Sequence, residues 1–115
     1  MPAPFVWFDN MTAQPQDTTH FLHAMFGWQR EDIGAMTFLT EKAGATPFAA
    51  TCHEMNGITG WVPYIEVEDL TAAVAIARRN GADVVAENVE GPAGNASFIR
   101  DPGGSPMALW KRSQS

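Results

Sequence analysis

The chain has 115 residues, 45% of them hydrophobic and 17% charged, and a formal net charge of −6. These values describe an ordinary globular protein, long enough for one domain around one core. The acidic balance lacks the Lys/Arg clustering by which nucleic acids and anionic membranes are bound, so neither is expected as a partner. Arg78-Arg79 reads as the solvated last turn of a helix, and Lys111-Arg112 stand alone near the end.

In chain order, Phe5-Val6-Trp7-Phe8 is aromatic and β-branched and predicts a strand, followed by a loop over 11–14. Pro15 suits a first helical turn, and Asp17 favours the positive end of the helix dipole. Phe21, Leu22, Met25 and Phe26 then recur at helical spacing, and Gly27 is the expected left-handed terminator. Three further strands are predicted over 28–33, 35–40 and 48–53, separated by turns at Gly34 and 42–47. The Gly-rich stretch 55–60 reads as an ordered crossover.

The second half repeats this order. Residues 61–68 alternate as a strand, with Pro63 expected at an edge or strand start. Asp69 is a good N-cap, and Leu70, Ala73, Val74 and Ala77 form the core face of a second helix, ended by Asn80-Gly81. Strands are predicted over 84–89, 95–100 and 107–111, with turns at 91–94 and 101–104. The final Ser-Gln-Ser reads as a frayed tail. The result is an α+β domain of two βαβββ modules, about 5–54 and 61–112, forming a curved mixed sheet around a shared cleft.

Cys52 is the single cysteine, so no intrachain disulfide is possible, which fits a reducing cytoplasm. Residues 1–4 carry no basic region or long apolar run, so no signal peptide is expected. No apolar run approaches the roughly 20 residues of a membrane span. The sequons at Asn10 and Asn95 are chance matches in a cytoplasmic protein.

Several segments together resemble the vicinal-oxygen-chelate superfamily, which includes glyoxalase I, bleomycin-resistance proteins and extradiol dioxygenases. They are Val6-Trp7-Phe8-Asp9, Phe26-Gly27-Trp28, the run from Tyr64 to Leu70, Asn80-Gly81-Ala82 and Asp101-Pro102-Gly103-Gly104. The Phe-Gly-Trp and Leu-Trp ends look most like small bacterial glyoxalase-like domains. The resemblance covers roughly residues 5 to 112 and implies paired βαβββ modules curling around a cavity. It also implies a homodimer. Metal-using members place His, Gln or Glu ligands on the first and last strand of each half. Here those positions fall near Phe5 or Trp7, near Val62 and near Ala108, none of which binds a metal. Only His53 and Glu54, on the last strand of the first half, could do so. A catalytic divalent site needs about three protein ligands. No cofactor is therefore expected.

Individual residues carry alternatives. His20 and His23 share a helix side, as a metal pair or, more simply, a polar flank. Cys52 and His53 point to opposite strand faces and cannot converge as a catalytic pair. His53 is a candidate polar cavity residue or a surface histidine. If Ile65 and Val67 meet the helix, Tyr64 and Glu66 face the cavity, where a carboxylate among aromatics could gain a raised pKa and act as a base, or sit hydrated on the rim. Asp9 is its counterpart in the first half. Of Trp7, Trp28, Trp61 and Trp110, the first and last sit where a planar ligand would be lined, while core or dimer packing accounts for others. Arg100 could pair an anionic group but suits the surface. The expectation is a small-molecule-binding protein of the bleomycin-resistance type, without the metal site. Its ligand, aromatic or cationic, would meet Trp7, Asp9, His53, Tyr64, Glu66 and Trp110. The alternatives are a metal-dependent lyase or dioxygenase, and a dimerisation domain.

Overall fold

A computed structural model describes residues 4–113. The elements run β1 (Trp7–Thr12), α1 (Pro15–Phe26), β2 (Gln29–Ile33), β3 (Met36–Thr40), β4 (Ala49–His53), β5 (Gly60–Glu66), α2 (Leu70–Arg79), β6 (Asp83–Glu90), β7 (Gly94–Arg100) and β8 (Pro106–Arg112). The readings of residues 1–3 as free of a leader and of 114–115 as a frayed tail lie outside the described residues. No helix among the described residues is long and apolar enough to cross a membrane. The architecture is α+β with a mixed sheet, as the sequence predicts.

The chain divides into two compact units, one of residues 7–62 and one of residue 63 onward together with the segment up to Val6. In the first, β1 pairs with β4 in parallel, while β4–β3 and β3–β2 are antiparallel. In the second, β5 pairs with β8 in parallel, while β8–β7 and β7–β6 are antiparallel. The same pairing scheme thus recurs, which is the repeat visible in the sequence.

Each sheet buries one face under its own helix. Leu22 of α1 packs with Leu39 and Ala49, flanked by Trp28 and Phe48. Thr19 adds a polar contact, its Oγ1 lying 2.6 Å from Thr51 Oγ1 in the buried interior. Val74 of α2 packs with Ile99 and Leu109, flanked by Ile65, Leu70, Ala73 and Ala77. Burying a Val or Leu of this kind contributes about 1.5–3 kcal/mol. The caps follow the sequence. Gly27 takes φ 74° and donates to His23 O, and Asp69 accepts from Ala72 N at 2.9 Å.

Three expectations are corrected. Residues 11–12 belong to β1 rather than to a loop, because Met11 is buried and Cα-paired with Cys52. The apolar stripe of α1 is not one buried face. Leu22 is buried, but Phe21, Met25 and Phe26 are 57%, 58% and 54% exposed. Buried Thr19 and Leu22 mark the covered side of α1; Phe21 and Met25 lie on the flank away from Thr19, and Phe26 is the last residue of the helix. Pro63 lies inside β5 rather than at its start, and the register with β8 begins one residue later at Tyr64.

Candidate ligand-binding faces

Strand alternation sends every second side chain of each sheet away from its helix. In the first unit this helix-free face carries Trp7, Asp9 and Met11 of β1, Ala50 and Cys52 of β4, and Phe38 of β3. The Trp7 and Phe38 rings meet edge to face at 5.6 Å, and Trp7 Nε1 donates to Asp9 Oδ1 at 2.7 Å. Asp9 is only 2% exposed. Burial, with a smaller contribution from the nearby Asp9 charge, pushes the Cys52 thiol up to about 12. Cys52 is therefore a protonated thiol at neutral pH, a packing group and not a nucleophile.

In the second unit the helix-free face carries Tyr64 and Glu66 of β5, Ala108, Trp110 and Arg112 of β8, and Ala96 and Phe98 of β7. Ile65 packs under α2, so the parity argument for Tyr64 and Glu66 holds. Tyr64 and Phe98 meet edge to face at 5.9 Å. Arg112 donates from Nε to Glu66 Oε2 at 3.0 Å and from Nη2 to Oε1 at 3.3 Å. Its guanidinium also lies over the Trp110 ring, 5.0 Å from the centroid. Gly94, opposite Arg112 on β7, makes room for that ring. A Cβ there would collide with the Lys111 carbonyl oxygen and come within 2.7 Å of Trp110 Nε1.

Of the two readings of Glu66, the geometry rules out the raised pKa of a base. The hydrogen bonds from Arg112 hold its carboxyl below the ordinary range, outweighing the opposing effect of burial. Glu66 is an anchored anion rather than a base. Sequence reasoning missed Arg112; strand parity puts it on the same face as Ala108 and Trp110, but its meeting with Glu66 depends on the β5–β8 pairing.

His53 does not join Trp7 and Asp9. It alternates with Thr51, which bonds Thr19 of α1, so it belongs to the helix side of the sheet. It is exposed, with Nδ1 3.2 Å from Glu54 O. His23 is engaged by Trp28 O at 2.8 Å. A surface hollow beside the start of α1 is lined by Gln16, Arg30, Asp32 and Thr37 among others. Its charged groups already satisfy one another, through Arg30–Asp32 at 3.3 Å and Thr37–Asp32 at 2.8 Å.

No protein-family model matches the chain. It is 29% identical over 115 residues to the provisionally named glyoxylase CFP32 of Mycobacterium bovis, covering 91% of this chain and 44% of that protein. A Mycobacterium tuberculosis protein of the same name matches equally. The chain thus spans less than half the length of these curated relatives. Among solved structures, a variant of the Streptomyces coelicolor methylmalonyl-CoA epimerase superposes with a TM-score of 0.64 at 14% identity, covering 99% of this chain and 100% of that one. The Mycobacterium tuberculosis methylmalonyl-CoA epimerase gives 0.60 at 17% identity, covering 96% and 89%. The chain is thus similar in sequence to these glyoxylase-named proteins and shares its fold with the epimerases.

The metal positions that the resemblance implies do not fit a divalent ion. Trp7, Val62 and Ala108 offer no carboxylate or imidazole, and the last two are fully buried apolar side chains. Among the described residues, no three His, Cys, Asp or Glu side chains come together. Trp7 uses its one polar group as a donor to Asp9, which a cation cannot exploit.

Proposed function

We propose that this chain is a glyoxalase-like domain that binds a small organic molecule in the manner of bleomycin-resistance proteins, without a resident metal. The observation that carries the reading is the residue makeup of the helix-free faces. Aromatic rings pair on both helix-free faces, Trp7 with Phe38 and Tyr64 with Phe98, and the strand positions where the resemblance implies a metal carry Trp7, Val62 and Ala108. Aromatic walls supply large contact area with defined geometry, and a few oriented polar groups fix the ligand. Trp7 and Asp9 are the proposed contact residues on the face of the first unit, and Tyr64, Glu66 and Trp110 those on the face of the second.

The test is elemental analysis after incubation with Zn, Ni, Mn and Fe(II) and desalting, followed by a thermal-shift ligand screen. Substoichiometric metal and saturable stabilisation by an organic ligand are expected. About one retained ion per chain would refute the reading in favour of a metal-dependent lyase or dioxygenase.

A second reading, an interaction domain, is favoured by the exposed Phe21, Met25 and Phe26 of α1. Such a patch is more apolar than an isolated surface residue requires. Sedimentation that shows a dimer dissociated by Phe21→Ser would support it, and a monomer at all concentrations would refute it.

A further inference from the structure

Asn56 and Asn80 are each followed by glycine, whereas Asn10, Asn88 and Asn95 precede residues with side chains. The two Asn-Gly pairs are held in different ways. Asn56-Gly57 lies between β4 and β5 at the centre of a tight turn over 55–58. Both residues take positive φ, 47° and 81°, the backbone of a type I′ turn. Two bonds close it, from Ile58 N to Met55 O at 2.8 Å and from Met55 N to Ile58 O at 3.4 Å. Asn56 and Gly57 are exposed, and among the described residues no hydrogen bond holds the Asn56 side chain.

Asn80-Gly81 is exposed too, but locked. Asn80 Nδ2 donates to Ile76 O at 2.8 Å, which ties down the amide nitrogen itself. The Asn80 backbone N–H is shared between Ile76 O and Ala77 O, each at 3.1 Å. Gly81 N donates to Arg78 O at 3.2 Å, and Ala82 N to Ala77 O at 3.0 Å. These bonds close the last turn of α2, so freeing Asn80 means fraying that end of the helix. Freeing Asn56 breaks only the two bonds of a short turn. A small exposed unit opens at a lower free energy than the end of a packed element.

We propose that Asn56 is a site of spontaneous deamidation in the folded protein, and that Asn80 is shielded from the same reaction. The Gly57 backbone nitrogen gives up its proton to hydroxide and attacks the Asn56 side-chain carbonyl carbon. A carbon–nitrogen bond forms and closes a succinimide ring, while the bond to the amide nitrogen breaks and that nitrogen leaves as ammonia. Water then opens the ring at either carbonyl, leaving aspartate or isoaspartate. Gly57 has no Cβ to crowd the approach. Each event adds a negative charge, and isoaspartate also adds a methylene carbon to the main chain. Ile58, directly after the turn, is 1% exposed. The lengthened chain has to strain or displace it, so the β4–β5 connection loosens as the protein ages.

The experiment is peptide mapping by mass spectrometry of the full chain during incubation at mildly alkaline pH, both native and unfolded in urea. In the native protein the mass gain of amide-to-acid exchange should appear at Asn56 at least about tenfold faster than at Asn80. In urea the two sites should react at similar rates, because both are Asn-Gly pairs with no fold to hold them. Isoaspartate should accompany aspartate at position 56. Asn56→Asp should abolish the gain there and leave the rate at Asn80 unchanged. Equal native rates, or Asn80 reacting first, would overturn the assigned selectivity. No gain at Asn56 in the native protein, over a time in which the unfolded chain reacts, would show that the turn protects the site and overturn the proposal. Selectivity that survives in urea would overturn its structural cause, and aspartate without isoaspartate would overturn the cyclic route.

Discussion

Substituting the buried hydroxyl pair between α1 and β4 should have unequal consequences for the two partners. Thr19 Oγ1 donates to Pro15 O at 2.8 Å, which uses its only proton. In the 2.6 Å contact Thr51 must therefore be the donor and Thr19 the acceptor. Thr19→Val removes that acceptor and strands the Thr51 hydroxyl at a site 1% exposed. An orphaned buried donor costs about 1–3 kcal/mol. Thr51→Val leaves Thr19 still bonded to Pro15 and deprives it only of an incoming proton, so the loss should be at the low end, about 0.5–1.5 kcal/mol. Replacing both by Val restores a matched apolar contact, and the double variant should be less destabilised than the sum of the singles. Urea unfolding of the four proteins measures this cycle, and melting should drop by roughly 4–8 °C per kcal/mol. Equal losses in the two single variants, or strict additivity in the double, would refute the assigned direction of the hydrogen bond.

Other consequences follow from the same kind of bookkeeping. With its thiol near 12 against an ordinary 9.0, Cys52 should react with iodoacetamide at pH 8 about a thousandfold more slowly in the native protein than after unfolding. Rapid native labelling would contradict the burial argument. Glu66 has a folded pKa depressed by Arg112, so its contribution is present above the unfolded value and disappears as pH falls through the folded one. Its NMR titration midpoint should lie below 4.5 and move back toward 4.5 in Arg112→Gln, whereas a midpoint above 4.5 in the unmodified protein would exclude the ion pair. Gly94→Ala should destabilise by about 1–3 kcal/mol through overpacking against Lys111 and Trp110, measurable as a lower urea midpoint at unchanged slope.

The modular fold was legible because its punctuation is local. Pro15, Gly27, Asp69 and the Asp101 turn mark element ends by their own backbone chemistry, and each stands where the sequence places it. Strand parity was equally readable, which is why Ile65 under α2 correctly sends Tyr64 and Glu66 to the other face. What failed depended on partners distant in sequence. The Glu66 carboxyl looked isolated among aromatics because Arg112 lies 46 residues away. His53 was weighed by residue type, while its face was set by the Thr19–Thr51 contact. The exposure of Phe21 and Met25 turns on how much of α1 its sheet can cover, which helical periodicity does not report.

Positions 94 and 110 are adjoined so tightly that they form a single choice. With an indole at 110, any side chain at 94 is shut out by atoms of the neighbouring strand. A smaller residue at 110 would lift part of that restriction, but the Lys111 carbonyl oxygen would remain in the way. Homologues or designed variants that abandon the tryptophan should therefore change position 94 only when β8 also shifts. A sequence that keeps glycine at 94 without an aromatic at 110 would retain the opening and lose the platform beneath Arg112.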